Sequence, residues 1–276
     1  MLSGTVDCDG FQLAWVREGR GAPMLVLGAS RFYPRYFPLA MRAHFDMVFC
    51  DLRQWVPTPD GFDVATITRD TFSDDIERVR AATRLDRPIV VGQSQHGYMA
   101  LEYARRFPDR VRGVVVVAVA PPSDDGDDRD SFFDRDASAE RRAADARIRA
   151  SYRIPDQVET SRDFIDRYLA NDAYVWYDPE PDRHSYLWDG VEINRAVMEQ
   201  VWADQAFGGF RLEPSGTPTF LALGRYDYFA PYYLWDRYHP LFSNLSSRLY
   251  ERSAHQPPNE QPDEFTADIV DWARGV

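Results

Sequence analysis

Four apolar runs constrain this chain more than any other feature: Met24–Leu27, Met47–Cys50, Pro88–Val91 and Val114–Val119. A strand with one wet face alternates apolar and polar residues. A nearly unbroken run bounded by turn residues is buried on both faces, as in a parallel sheet. Between the second and third runs, Phe72, Ile76 and Val79 fall at helical spacing. After the third, Ala100, Tyr103, Ala104 and Phe107 repeat at i, i+3, i+4 and i+7. Strand and helix therefore alternate, which predicts βαβ units and a mostly parallel sheet flanked by helices. Phe11–Val16 reads as a further strand ahead of them, followed by a turn at Gly19, Gly21 and Pro23.

The pattern breaks after Pro121-Pro122. Residues 123–212 are polar and helix-prone, rich in Asp, Arg, Tyr and Trp, and hold no buried-strand run. Thr219–Leu223 resumes the sheet, a last strand is expected near Arg248–Tyr250, and Pro262 opens a terminal helix with an apolar stripe at Phe265, Ile269 and Trp272. The reading is one α/β core, residues 1–122 and 213–276, interrupted by a helical lid at 123–212, an insertion of about ninety residues and far longer than an ordinary connection. Asp124–Asp136 is acidic and of low complexity, and is expected to be solvated and mobile. Ligands of open parallel sheets bind beyond the carboxyl ends of the strands, and an insertion leaving from there covers that edge.

With 276 residues there is room for one large domain. A net charge of −12 argues against nucleic acid or an anionic membrane as partner and leaves a small-molecule substrate. Cys8 and Cys50 form no CxxC or metal-ligand spacing and read as small buried residues. Met1–Gly10 carries acidic residues and no apolar stretch, so no signal peptide is expected. No run approaches the roughly 18 residues that span a bilayer, and a cytoplasmic location is the default expectation.

The chemistry sits at three strand ends. Val90-Val91-Gly92-Gln93-Ser94-Gln95-His96-Gly97 joins a buried strand to a helix, where a nucleophile elbow of the G-x-S-x-G kind belongs. Gly92 and Ser94 match, but His96 replaces the last glycine and Gly97 follows one place later. Gly224-Arg225-Tyr226-Asp227 places a carboxylate just past a strand, in a loop closed by Pro231. His255 lies beyond the last strand and before the terminal helix. A turn serine, a solvated aspartate or a surface histidine is each unremarkable alone. Together they stand in the order Ser, Asp, His, each after the appropriate strand.

These segments resemble the α/β-hydrolase superfamily, and most of all its proline-iminopeptidase-related branch. The similarity is carried by the elbow with Ala100–Ala104 and Phe107–Val111, by G-x-x-D-x-x-x-P around Asp227, by H-x-P-x-x-E-x-P-x-x-F around His255 and by Asp51-Leu52-Arg53. It covers nearly all of the core and little of the lid. The resemblance implies the α/β-hydrolase fold and an acyl-enzyme mechanism with Ser94 as nucleophile, His255 as base and Asp227 as its orienter. The chain has Leu27-Gly28-Ala29-Ser30-Arg31 and Gln95 where proline iminopeptidases carry a Gly-Gly-Pro-Gly loop and a tryptophan, so the scaffold is implied rather than prolyl aminopeptidase activity.

Such chemistry requires no metal or organic cofactor. Its oxyanion donors are assigned to the backbone N–H groups of Gln95 and Ala29, with Ser30 as alternate for the second. Trp176, Tyr177, Tyr186, Trp188 and Trp202 of the lid read first as packing. Trp176, Tyr177 and Trp188, with Tyr228, Ser30 and His96, are the candidates for a pocket wall around a partly apolar or aromatic substrate with an ester, thioester or amide bond. His96 has two readings: a buried residue fixing the Gly28–Ser30 loop, or a second acid–base group in the pocket. A non-hydrolytic enzyme on the same scaffold (acyltransferase, lyase or cyclase) and a silent small-molecule receptor are the other classes. Acylation of Ser94 discriminates the first and turnover of an aryl ester the second.

Overall fold

The computed structural model describes residues 2–121, 129–152, 154, 157–202 and 210–276. Eight strands form one sheet: β1 (Leu2–Cys8), β2 (Phe11–Gly19), β3 (Ala22–Gly28), β4 (Phe45–Asp51), β5 (Ile89–Gln93), β6 (Gly113–Val117), β7 (Thr219–Gly224) and β8 (Leu245–Tyr250). Their order is β1-β2-β4-β3-β5-β6-β7-β8. The β1/β2 and β2/β4 pairs are antiparallel and all others parallel. Register aligns Gly28 with Asp51, Gln93 with Val117 and Gly224 with Tyr250, so six strands end at one edge.

Every residue of β5, β6 and β7 is buried, as the continuous apolar runs require. On one face Leu25, Val90, Val116 and Leu221 pack under α2 (Arg69–Ala82) and α3 (Gln95–Arg106); the short α1 (Tyr33–Tyr36) lies on the other face. There Val26, Val91 and Val115 alternate with them. Thr68 caps α2 reciprocally with Thr71, satisfying amide donors at the helix start. Cys8 and Cys50 are both buried and free. β1 is absent from the sequence reading, because an edge strand half in solvent lacks the apolar run that marks the others.

The insertion carries α4 (Arg129–Asp136), α5 (Ala139–Ser151), α6 (Ser161–Leu169), α7 (Asp172–Val175), α8 (Pro181–His184) and α9 (Arg195–Trp202). The chain closes with α10 (Pro257–Glu260) and α11 (Pro262–Arg274), which packs Phe265 and Ile269 beside α1. The second half of the segment expected to be solvated and mobile forms α4. Residues 129–136 are helical, and Phe132 and Phe133 are buried against Tyr228. Two aromatic anchors outweigh the charged residues around them. Residues 124–128 of that segment lie outside the described residues.

Asp172, at the start of α7, is fully buried, and neither carboxylate oxygen has a hydrogen-bond partner among the described residues. Burial pushes its pKa up to about 8, against a weaker pull from the Glu180 backbone. His184 stands 4.0 Å away, and burial holds its pKa down to about 4, so the two meet as neutral groups at neutral pH. A carboxyl that holds its proton in the folded state and loses it when unfolded makes stability fall as pH rises, here from about 4 through 8. Asp172→Asn should remove that decline. Its melting temperature relative to the parent should rise steadily from pH 5 to pH 9 in thermal melts, and a pH-independent difference would show that Asp172 does not titrate there.

Candidate active site

Each residue singled out at a strand end stands at the shared carboxyl edge. Ser94 follows β5 and caps α3 with φ 54° and ψ −135°, a conformation that costs a side-chain-bearing residue about 1–3 kcal/mol. The turn is held by Ser94 N–H donating to Val117 C=O (2.9 Å) and Gly97 N–H to Ser94 C=O (2.8 Å). The glycine the elbow needs is at 97: a Cβ there would lie 2.3 Å from Val119 Cγ2. Position 96 faces elsewhere, which is how a histidine is accommodated.

Asp227 follows β7 and is fully buried. Its Oδ1 accepts the N–H groups of Phe229 (2.9 Å) and Ala230 (2.8 Å). Its Oδ2 lies 2.7 Å from His255 Nδ1. A carboxylate taking three donors assigns the Nδ1 proton to the imidazole and leaves Nε2 as its basic atom. The Ser94 hydroxyl makes no hydrogen bond among the described residues. The link between the elbow and His255 runs through the preceding residue, since Gln93 Nε2 donates to His255 C=O (3.2 Å).

Gln93 is the hub of a buried network that motif reading does not anticipate. Trp55 can only donate, so its Nε1–H fixes His96 Nε2 as acceptor (3.2 Å). His96 Nδ1 therefore carries the proton and faces Tyr33 Oη (3.0 Å) and Gln93 C=O (3.2 Å). Tyr33 donates to Gln93 Oε1 (3.0 Å), Gln93 Nε2 also reaches Gln256 Oε1 (3.2 Å), and Gln256 donates to Tyr168 Oη (2.6 Å). Burial lowers the His96 pKa to about 4, against the opposing pull of the Gln93 carbonyl, so the ring is neutral near pH 7. His96 thus ties Tyr33 and Trp55 to the elbow. It reaches the Gly28 region by packing, its Cε1 being 3.0 Å from where a Gly28 Cβ would stand.

The loop after β3 is fixed by Asp51, whose Oδ1 accepts the Ser30 N–H at 2.6 Å. Burial raises the Asp51 pKa to about 6, opposed by that N–H. Ser30 is committed to this bond, which removes it as alternate donor. The Ala29 N–H makes no hydrogen bond among the described residues, while Ala29 C=O accepts from Phe32 and Tyr33. Gln95 opens α3, where amide N–H groups point out of the helix, and its side chain reaches Met198 Sδ at 3.6 Å.

Among the aromatic candidates, Trp188 packs against Phe32, Phe164, Tyr168 and Trp55, bridging the insertion to the core loops. Trp176 is buried and stacked on His184 at 3.5 Å. Tyr228 sits in a separate cluster with Phe132, Phe133 and Tyr174. Tyr177 is exposed beside Tyr226. The Trp202 side chain lies outside the described residues. Glu260, in the H-x-P-x-x-E segment, accepts from Ser253 Oγ, Ala254 N–H and Tyr177 N–H. Burial pushes its pKa up to about 7 against those three donors.

The sequence model of the alpha/beta hydrolase fold matches residues 28–257, from the last residue of β3 to the first of α10. The chain belongs to the α/β-hydrolase family. The AB hydrolase superfamily protein YclE of Bacillus subtilis (strain 168) is 32% identical over 277 residues, covering 98% of each chain. An alpha/beta fold family hydrolase from Bacillus anthracis str. Sterne superposes with a TM-score of 0.70 at 16% identity, over 98% of this chain and 99% of that one. An esterase, EaEST from Exiguobacterium antarcticum, does so with a TM-score of 0.69 at 17% identity, over 99% and 100%. At such identities the α/β-hydrolase structures speak for the shared fold alone.

Proposed function

We propose that the protein is a serine hydrolase that cleaves an ester, thioester or amide bond of a small, partly apolar or aromatic substrate through an acyl-enzyme on Ser94. The observation that carries this reading is the 2.7 Å contact of His255 Nδ1 with a buried, three-donor Asp227 carboxylate, tied through Gln93 to a strained elbow serine. His255 Nε2 takes the Ser94 proton as Oγ attacks the carbonyl carbon, and Asp227 stabilises the imidazolium that results. The Ala29 and Gln95 N–H groups receive the oxyanion. Collapse expels the leaving group with the proton returned by His255. Water, deprotonated by the same base, then releases the acid and restores Ser94. The insertion acts as a lid, and the aromatic contacts of Trp188 with Phe32 and Trp55 support an apolar wall beneath it. The elbow helix and the loops of Asp227 and His255 support kinship of the scaffold with the proline-iminopeptidase-related branch.

A fluorophosphonate should label Ser94 and no other serine, and Ser94→Ala should abolish turnover of aryl esters. An unmodified Ser94 peptide in the mass spectrum of treated, folded protein would remove the nucleophile from this scheme. Acyl transfer to an added alcohol in preference to water would assign the enzyme to the transferases.

A further inference from the structure

Three hydrogen bonds join one stretch of the insertion to the loops that carry Asp227 and His255. Tyr174 C=O accepts the Tyr228 N–H (3.1 Å), next to Asp227. Val175 C=O accepts the N–H of His255 itself (3.0 Å). Tyr177 N–H donates to Glu260 Oε1, whose Oε2 takes Ala254 N–H (2.7 Å) and Ser253 Oγ (2.7 Å), the two residues before His255. From the other side Arg141 of α5 donates to the carbonyls of Ala173 (2.7 Å), Trp176 (2.9 Å) and Tyr177 (2.6 Å). Its guanidinium also lies over the rings of Tyr226 (5.7 Å) and Tyr228 (5.5 Å), which flank Asp227.

We propose that residues 174–177 are a strut of the catalytic base rather than part of a moving lid, and that Glu260 and Arg141 are positioning residues that hold His255 and Asp227 in register through it. This rests on the hydrolase reading above. Without the strut, His255 would keep its Gln93 bond to the elbow but lose the partner of its own N–H. The ionised carboxylate is the form that fits, because Glu260 meets three donors and offers acceptors alone only when ionised. In Glu260→Gln the amide NH2 would face at least one N–H or O–H donor and push that side away. A displacement of about 1 Å in a reacting group far from the substituted residue costs up to about 10²-fold in rate.

The test uses the intact protein, an aryl ester and a fluorophosphonate. Glu260→Gln should lower kcat by about 10²-fold with KM within about threefold, since substrate contacts are untouched. The rate of Ser94 labelling should fall in parallel while its final stoichiometry stays near one per chain. The low-field proton resonance of the His255–Asp227 hydrogen bond should shift or broaden. Arg141→Gln acts on the same strut from the half-buried side, where the freed carbonyls can turn to water. It should give about a tenfold loss of the same kind, and it answers the question if Glu260→Gln does not fold. Folded variants with parental kcat and an unmoved resonance would overturn the proposal, as would a loss of kcat matched by a loss of labelling stoichiometry. Parent enzyme that turns over without labelling at Ser94 would instead overturn the hydrolase reading.

Discussion

Asp227→Asn should leave the fold intact and slow turnover by about 10⁴-fold, the scale of a lost orienter in a Ser-His-Asp constellation. The side chain is nearly isosteric, and its oxygen can keep the Phe229 and Ala230 N–H groups that shape the loop. The amide nitrogen must then face His255 Nδ1, 2.7 Å away. A donor there requires Nδ1 to accept, which moves the imidazole proton to Nε2 and removes the atom that takes the Ser94 proton. Thermal melting should therefore match the parent while kcat collapses in steady-state assays. A folded variant with full activity would show that another carboxylate orients the base.

Arg53→Leu should destabilise the protein by about 3–5 kcal/mol, the cost of stranding one member of a buried ion pair. Arg53 and Asp75 are each 1% exposed and meet through Nε and Nη2 at 2.6 and 2.9 Å. Arg53 also covers the Phe11 ring at 4.6 Å and reaches Asp9 in the turn between β1 and β2, so it binds that corner of the fold together. At a few degrees per kcal/mol for a chain of this size, Tm should drop by about 10 °C. The deficit should also depend on pH. Burial already raises the Asp75 pKa, with Arg53 pulling it down. Without Arg53 the folded state binds a proton that the unfolded state releases, so the variant loses stability as pH rises above the ordinary carboxylate range. A loss of only a few degrees, independent of pH, would mean that Asp75 finds water or another cation.

The sheet was legible because strands buried on both faces leave runs such as Val114–Val119 that no other element requires. The placement of Ser94 and Asp227 was legible because each closely follows such a run, and that of His255 because it stands between the expected last strand and the terminal helix. β1 was not, since Leu2–Cys8 has a wet face and no neighbour beyond it. Nor was the packing of the helix at 129–136, where the charges dominate composition but Phe132 and Phe133 are buried. The Gln93 network was hidden for a different reason. Its partners Tyr33 and His255 lie 60 and 162 positions away in the chain, and no local pattern records a contact of that range. Glu260 was visible as one letter of a motif, but its bond to Tyr177 needs the insertion folded back onto the core.

The occupied position 96 has a consequence for protein engineering. Imposing the general G-x-S-x-G pattern would write glycine there, and stabilisation by consensus depends on the pattern being the better local choice. Here it would excise an imidazole that seats the Trp55 indole N–H and the Tyr33 hydroxyl, leaving a hole beneath the elbow and polar atoms facing it. The general elbow pattern is a poor blueprint for this turn. Redesign of the elbow has to treat Tyr33, Trp55, Gln93 and His96 as one unit, exchanged together or not at all.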